Sequence, residues 1–203
     1  TMQFITHTSK SASNKVARIS PLNLNLNPNL NPNRFFQSRQ KSSSFDSVAV
    51  VGLGLMGHGI CQVAASSGIH SSVIAYEPEQ QFLEKGRERI EGSVGKLVNR
   101  GKLEGEDADR ILSSIKYTTD PSDLKNTDFV VEAVIENMDL KKDLYSTLGN
   151  TCKPSTIFAS NTSSLSITEM ANLSGRPDKF VGVHFFNPVQ IMKLVEVIRT
   201  DRT

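Results

Sequence analysis

A glycine-rich turn between two apolar runs, within residues 47–77, constrains the fold of this chain more than any other feature. A valine-rich run enters Gly52, Gly54 and Gly57, an apolar segment without proline follows, and a second apolar run ends at Glu77. This order predicts a strand, a turn, a helix and a second strand. In such a unit the first glycine permits the tight turn, the second lets a pyrophosphate approach the backbone, and the third lets the helix pack against the strand.

The residues around this turn are typical of a dinucleotide site. The N–H groups and the dipole at the start of a helix attract phosphate, and a carboxylate at Glu77 can accept both ribose hydroxyls. That carboxylate repels the 2′-phosphate of NADP, and residues 78–81 contain no Arg or Lys to bind one, so NAD is favoured. The alternative is a glycine-rich turn in some other α/β protein.

The rest of the chain alternates between strand-like and helix-like segments. This alternation predicts an α/β fold, a Rossmann-type, doubly wound and mostly parallel sheet with flanking helices. Ligands bind such sheets at the carboxyl ends of the strands, where Glu77, Glu136, residues 161–163 and His184 should meet the glycine turn. The further strands are predicted near residues 115–119, 128–134, 156–161, 180–186 and 192–198, and the further helices within residues 79–114, 138–148 and 167–173.

The first 45 residues differ in composition from the rest. They contain no Asp or Glu but six of the 23 Lys and Arg residues, and they are rich in Ser and Asn. This composition is typical of an organellar transit peptide, and residues 34–38 look like a mitochondrial processing region. The sequence therefore predicts a leader over 1–45, the sheet domain over 46–199 and a location in the mitochondrial matrix. The alternatives are the chloroplast, the cytoplasm and a merely disordered, low-complexity tail.

Composition also argues against several classes of function. Beyond residue 45, 17 basic residues face 21 acidic ones, so no basic surface for nucleic acid is indicated. No apolar run is long enough to span a bilayer. Cys61 and Cys152 fall in separate predicted helices, which predicts neither a disulfide nor a metal site and favours two small core residues.

His184 is the strongest candidate for acid–base chemistry. It ends an apolar strand, and oxidising an alcohol by hydride transfer requires a base for the hydroxyl proton, which suits the pKa of histidine. If the chain reverses near Gln190, Glu196 lies opposite His184 on an antiparallel strand and can orient its ring. The residues alone are equally compatible with a structural role, in which His184 is a hydrogen-bonded core residue and Glu196 an ordinary residue of an edge strand. Ser163 also has two possible roles: it can donate a hydrogen bond to the substrate or the cofactor, or it can cap a helix.

Four stretches carry a resemblance to a known family. From about residue 47 to residue 200, the chain resembles the NAD-binding domain of 3-hydroxyacyl-CoA dehydrogenase, and its last stretch is closer to the monofunctional enzyme than to the fused multifunctional one. The family usually has Asp where this chain has Glu77, and the longer acid should still suit NAD. The four stretches are 52–60 (GLGLMGHGI), 132–137 (EAVIEN), 160–165 (SNTSSL) and 184–198, in which HFFNP precedes MKLVEVI.

This resemblance implies NAD-dependent oxidation of (S)-3-hydroxyacyl-CoA to 3-ketoacyl-CoA in fatty acid β-oxidation. It implies that His184 is the base, that Glu196 is its partner and that Ser163 contacts the substrate oxygen and the nicotinamide. Ser93 matches a coenzyme A contact, and Arg100 falls where a basic contact is expected, although spacing alone predicts an ordinary solvated face there. The implied cofactor contacts are Gly52, Gly54, Leu55, Met56, Gly57, Glu77, Glu136, Lys141, Ser163 and Asn187.

The family continues with an all-helical domain that forms the dimer and closes the acyl cleft. Residues 200–203 would begin that domain, and the rest of it is absent from this sequence. The resemblance therefore implies a homodimer for the full-length enzyme, and we expect the chain alone to bind NAD with little or no turnover. One alternative is the β-hydroxyacid dehydrogenase group, which shares the Gly-Leu-Gly-x-Met-Gly turn but relies on a later lysine. The other is a catalytically inactive NAD-binding remnant or crystallin-like protein.

Overall fold

A single sheet organises the part of the chain that the computed structural model describes, residues 3–8 and 45–203. Its strands are β1 (Gln3–Thr8), β2 (Ser47–Val51), β3 (Ser72–Tyr76), β4 (Ile115–Thr118), β5 (Phe129–Glu132), β6 (Ile157–Ser160), β7 (Phe180–Phe185) and β8 (Leu194–Arg199). They lie in the order β1-β8-β7-β6-β5-β2-β3-β4.

Five α-helices connect these strands. α1 is followed by Gly68, which caps the helix with a left-handed φ of 64° that glycine adopts without strain. α4 begins after Asn137 and α5 after Ser166, and each of these side chains accepts a backbone N–H of the first turn. The helices are α1 (Gly57–Ser67), α2 (Gln80–Asn99), α3 (Gly105–Ser113), α4 (Met138–Thr151) and α5 (Ile167–Leu173), and short 3-10 helices cover Pro121–Leu124 and Pro177–Lys179.

The strand order confirms the predicted doubly wound, mostly parallel sheet. From β4 through β3, β2, β5 and β6 to β7, every neighbouring pair is parallel, and β8 runs antiparallel to β7. The chain moves outward from β2 in one direction and then returns to start again at β5. Beside that reversal, the loops after β2 and β5 separate and leave the crevice in which such sheets bind ligands.

Helices cover both faces of the sheet because the strand residues alternate in direction. Val50 of β2 packs in a core with residues of α1, α2 and α3, whereas Ala49 and Val51 pack in a second core with residues of α4 and α5. Because β2 is buried on both faces, its sequence is a nearly continuous apolar run. The polar side chains of the sheet are therefore concentrated at the strand ends.

β1 lies within the segment predicted to be a leader. It pairs in parallel with β8 at the edge of the sheet, with Gln3 opposite Leu194. The sequence predicted no strand there, so β1 is an addition to the predicted fold. Residues 9–44, with the predicted processing region, lie outside the described residues, and the leader remains a prediction. Among the helices that the structure describes, none has the length and apolar character needed to cross a membrane.

Candidate functional site

The glycine turn after β2 is tightly packed at two of its three glycines. Gly52 has a φ of 87°, and a Cβ on Gly57 would lie 1.7 Å from the carbonyl oxygen of Gly52. The third glycine differs, because a Cβ on Gly54 would meet no heavy atom within 4 Å. Packing within the chain therefore explains Gly52 and Gly57. It does not explain Gly54, where the predicted close approach of a pyrophosphate would account for a glycine.

This contrast predicts opposite effects for two matched substitutions. Gly57→Ala should lower the free energy of unfolding by about 3 kcal/mol, because the new methyl group meets rigid backbone. Gly54→Ala should change that free energy by less than about 1 kcal/mol and weaken NAD binding about tenfold, because the methyl group projects toward the phosphates. Urea denaturation and calorimetric titration measure the two quantities. Full NAD affinity in Gly54→Ala would contradict the assignment of this turn.

Glu77 lies where β3 ends, beside the glycine turn. Its Oε2 accepts the backbone N–H of Leu53 at 3.1 Å, so the carboxylate is held next to the glycine turn. The side chain is only partly buried, and a carboxylate has lone pairs for further donors. The acid can thus hold the turn and still accept ribose hydroxyls.

A cavity of about 320 Å³ opens at the carboxyl ends of β5, β6 and β7. It brings together six of the residues predicted for the site, which come from separate parts of the chain. Its other walls are largely apolar, as expected for a pocket that holds a small molecule. The lining residues are Met56, Ala133, Val134, Glu136, Asn161, Ser163, His184, Phe185, Phe186 and Asn187.

His184 is oriented by a carboxylate and by an aromatic ring. It lies directly opposite Glu196 across the antiparallel pair β7–β8, which confirms the predicted reversal of the chain near Gln190. His184 Nδ1 lies 2.8 Å from Glu196 Oε2, and the ring of Phe186 packs with its centroid 4.4 Å from that of His184. When Nδ1–H donates to the carboxylate, Nε2 keeps its lone pair, which is the form that a general base requires.

Glu136 joins the exit of β5 to the turn after β6. Its Oε1 accepts the Thr162 hydroxyl and, at 3.0 Å, the Ser163 N–H, while its Oε2 lies 2.9 Å from Lys141 Nζ. Partial burial raises the pKa of the Glu136 carboxyl, but the hydrogen bonds from Thr162, Lys141 and Ser163 outweigh it and leave the pKa below its ordinary value. Glu136 is therefore ionised at neutral pH and holds the turn that carries Ser163.

Comparison with known proteins agrees with this arrangement. Residues 47–203 match the NAD-binding domain of the 3-hydroxyacyl-CoA dehydrogenases. The chain belongs to the 3-hydroxyacyl-CoA dehydrogenase family. The match also confirms the predicted cofactor, NAD. The β-hydroxyacid dehydrogenase alternative is disfavoured, because residues 47–203 match the NAD-binding domain of the 3-hydroxyacyl-CoA dehydrogenases instead.

Relatives in the family come from bacteria and from animals. A probable 3-hydroxybutyryl-CoA dehydrogenase of Deinococcus radiodurans is 49% identical over 154 residues, which are 76% of this chain and 54% of that protein. The mitochondrial hydroxyacyl-coenzyme A dehydrogenase of Sus scrofa is 44% identical over 162 residues, 77% of this chain and 51% of that protein. The chain thus spans about half the length of the curated relatives that it matches.

A solved structure in the family has the same fold. The crystal structure of (S)-3-hydroxybutyryl-CoA dehydrogenase from Ralstonia eutropha superposes with a TM-score of 0.76 at 41% identity, covering 79% of this chain and 56% of that one. At this identity the likeness extends beyond fold alone. It agrees with the membership of this chain in the 3-hydroxyacyl-CoA dehydrogenase family.

Three residues assigned by the family resemblance lie away from the cavity. Ser93 is half-buried on α2, and the exposed Arg100 follows the last residue of that helix. Ser93 and Arg100 are seven residues apart, a spacing that places them on the same side of the helix. Their role as coenzyme A contacts stays a prediction. The Lys141 side chain is fully buried and reaches the site through Glu136.

Two residues support the site through contacts that were not predicted from the sequence. Asn161 Oδ1 accepts the N–H of Phe185 at 3.0 Å and so fixes the exit of β7 beside His184. Glu132 is fully buried at the end of β5, where the sequence offered a signal, since an acid closes an apolar run. The partners of Glu132 come from other elements, and no local pattern identifies them.

Proposed function

We propose that this protein contributes the NAD-binding domain of an enzyme that oxidises (S)-3-hydroxyacyl-CoA to 3-ketoacyl-CoA in fatty acid β-oxidation. The observation that carries the proposal is the His184–Glu196 pair, which reaches the same cavity as Ser163 at the ligand-binding edge of the sheet. Family membership supports the substrate class. The relatives named as 3-hydroxybutyryl-CoA and hydroxyacyl-coenzyme A dehydrogenases support it further.

The side chains of the cavity divide the reaction among them. Nε2 of His184 takes the proton of the 3-hydroxyl group as the carbonyl forms. Glu196 holds the ring in the required tautomer and stabilises the imidazolium that results. The Ser163 hydroxyl donates to the substrate oxygen and keeps it near His184. NAD, when bound, supplies the acceptor for the hydride that leaves the hydroxyl-bearing carbon.

NAD would be held by the glycine turn and by Glu77. The fit rests on Gly54, where a side chain would project into open space, and on the Glu77 carboxylate, which is fixed by Leu53 N–H. The first N–H groups of α1 face this turn and favour the negative charge of a pyrophosphate. Met56, Glu136 and Asn187 line the adjoining cavity, consistent with the cofactor contacts that the resemblance implies.

Glu77 should set the preference for NAD over NADP. Glu77→Ala should weaken NAD binding about tenfold, because the ribose hydroxyls lose an acceptor and the turn loses its bond to Leu53. The preference over NADP should narrow because the repulsion of the 2′-phosphate is removed. Dissociation constants for both cofactors measure the effect, with the exposed Glu88→Gln as control. Equal use of NAD and NADP by the unmodified protein would overturn this assignment.

The proposal also covers the location of the enzyme, its oligomeric state and its substrates. We place it in the mitochondrial matrix, on the composition of residues 1–45 and the mitochondrial relative from Sus scrofa, although bacterial relatives match as well. We also propose that the full-length enzyme is a homodimer through the helical domain that the resemblance implies. Its substrates are the coenzyme A esters, for which Ser93 and Arg100 provide the proposed contacts.

A further inference from the structure

A cluster of buried polar residues lies behind the cavity, and the proposed reaction does not use it. Glu132, Lys141, Tyr145 and Ser160 have side chains with no solvent exposure. Glu132 and Ser160 are opposite each other at the ends of β5 and β6, and Lys141 and Tyr145 are one turn apart on α4. Burying a lysine and a glutamate together costs free energy, so their presence in this position calls for a specific reason.

Every polar side chain of the cluster has a hydrogen-bond or ion-pair partner. Glu132 Oε2 accepts from Ser160 Oγ at 2.6 Å and from Tyr145 OH at 3.0 Å, and it lies 3.1 Å from Lys141 Nζ. The ammonium of Lys141 has two further acceptors, Ser160 Oγ at 3.2 Å and Glu136 Oε2 at 2.9 Å. Three acceptors match the three N–H bonds of an ammonium. Lys141 is thus held in one orientation, with one of its bonds directed at Glu136.

Glu136 connects this cluster to the cavity. One of its oxygens meets the buried ammonium, and the other accepts the Thr162 hydroxyl and the N–H of Ser163. The Glu136 side chain is 38% exposed, so without Lys141 it has water as a competing partner. A carboxylate released to water would no longer hold the Ser163 turn, because the same rotamer makes both sets of contacts.

We propose that Glu132 and Lys141 are positioning residues: the buried pair fixes the carboxylate of Glu136, and Glu136 in turn fixes the backbone at Ser163 where the cofactor and substrate meet. The proposal rests on the proposed function for the role of Ser163. It assigns to Lys141 an action through Glu136 in place of direct contact with NAD. Tyr145 donates its hydrogen bond to Glu132 and not to Glu136.

Hydrogen exchange at the Ser163 amide tests the proposal without any ligand. In the 203-residue chain this N–H is bonded to Glu136, so its exchange should be slowed. The double variant Lys141→Met with Glu132→Gln removes both buried charges and leaves neither unpaired. Exchange at Ser163 should become about tenfold faster in that variant, and NAD binding about tenfold weaker, since a bond to a charged group is lost.

Two further variants make the outcome decisive. Tyr145→Phe removes a hydrogen bond from the same cluster but leaves the Lys141–Glu136 contact, so exchange at Ser163 should change less than about twofold. Ser160→Ala removes one acceptor of Lys141 without leaving a charge unpaired, and should speed exchange about threefold. Ser160→Ala decides the question if the double variant does not fold. Exchange as slow as in the unmodified chain, in the folded double variant or in Ser160→Ala, would overturn the proposal.

The same experiment separates this proposal from the proposed function. If the unmodified chain did not bind NAD, the proposed function would fail, while the exchange rates at Ser163 would still test the coupling. If NAD bound normally and exchange at Ser163 were unaffected by the variants, only the positioning role would be lost. Equal acceleration in Tyr145→Phe and Ser160→Ala would likewise contradict it, because it would indicate general loosening of the cluster.

Discussion

His184→Ala should lower the turnover of the full-length enzyme by about a hundredfold or more. Alanine cannot take the hydroxyl proton, and Nε2 of His184 is the group left free to do so while Nδ1 is bonded to Glu196. NAD affinity should barely change, because the glycine turn and Glu77 are untouched. Reduction of acetoacetyl-CoA measures turnover, and calorimetric titration measures NAD affinity.

His70→Ala is a matched control for this change. His70 is also only partly buried and bonds through its ring to a backbone carbonyl, that of Phe45, but it does not line the cavity. Its replacement should leave turnover within about twofold of the unmodified enzyme. Near-normal acetoacetyl-CoA reduction by His184→Ala would remove His184 from the mechanism.

Glu196→Gln should also lower turnover by about a hundredfold or more, although the two side chains have nearly the same shape. A glutamine amide can donate to Nδ1 of His184, which favours the tautomer with its proton on Nε2. That tautomer cannot accept the substrate proton. The amide also provides no negative charge to stabilise the imidazolium.

A second substitution at Glu196 separates the two contributions of this side chain, which are the orientation of the His184 ring and the negative charge. Glu196→Asp keeps the charge with a shorter side chain, so it should retain more activity than Glu196→Gln. Glu88→Gln, an exposed position on α2, should have no effect on turnover. If Glu196→Gln reduced acetoacetyl-CoA at the normal rate, the pairing of His184 with Glu196 would be structural only.

Local patterns were sufficient to predict the elements that surround the glycine turn. A valine-rich run, three spaced glycines and a terminal acid specify β2, α1 and β3, because each requirement acts over a few residues. The pairing of His184 with Glu196 could also be predicted, since positions equally spaced about a reversal lie opposite each other on antiparallel strands.

Contacts between distant elements could not be predicted in this way. Glu132 and Ser160 meet because β5 and β6 are neighbours, and Lys141 reaches both from α4. No periodicity within one segment predicts these contacts, and its position on a helix would predict a solvent-exposed Lys141. The strand Gln3–Thr8 was missed for the same reason, since an edge strand depends on the partner strand that it joins.

The most direct test of the proposed function is the rate at which the full-length enzyme forms NADH from (S)-3-hydroxybutyryl-CoA, compared with the rate from free 3-hydroxybutyrate. We expect the coenzyme A ester to be oxidised at least about a hundredfold faster at equal concentration, because binding energy from the coenzyme A portion holds the hydroxyl group at His184. Equal rates, or a preference for the free acid, would instead support a β-hydroxyacid dehydrogenase. NAD binding without oxidation of either compound would contradict the proposal and support a catalytically inactive remnant.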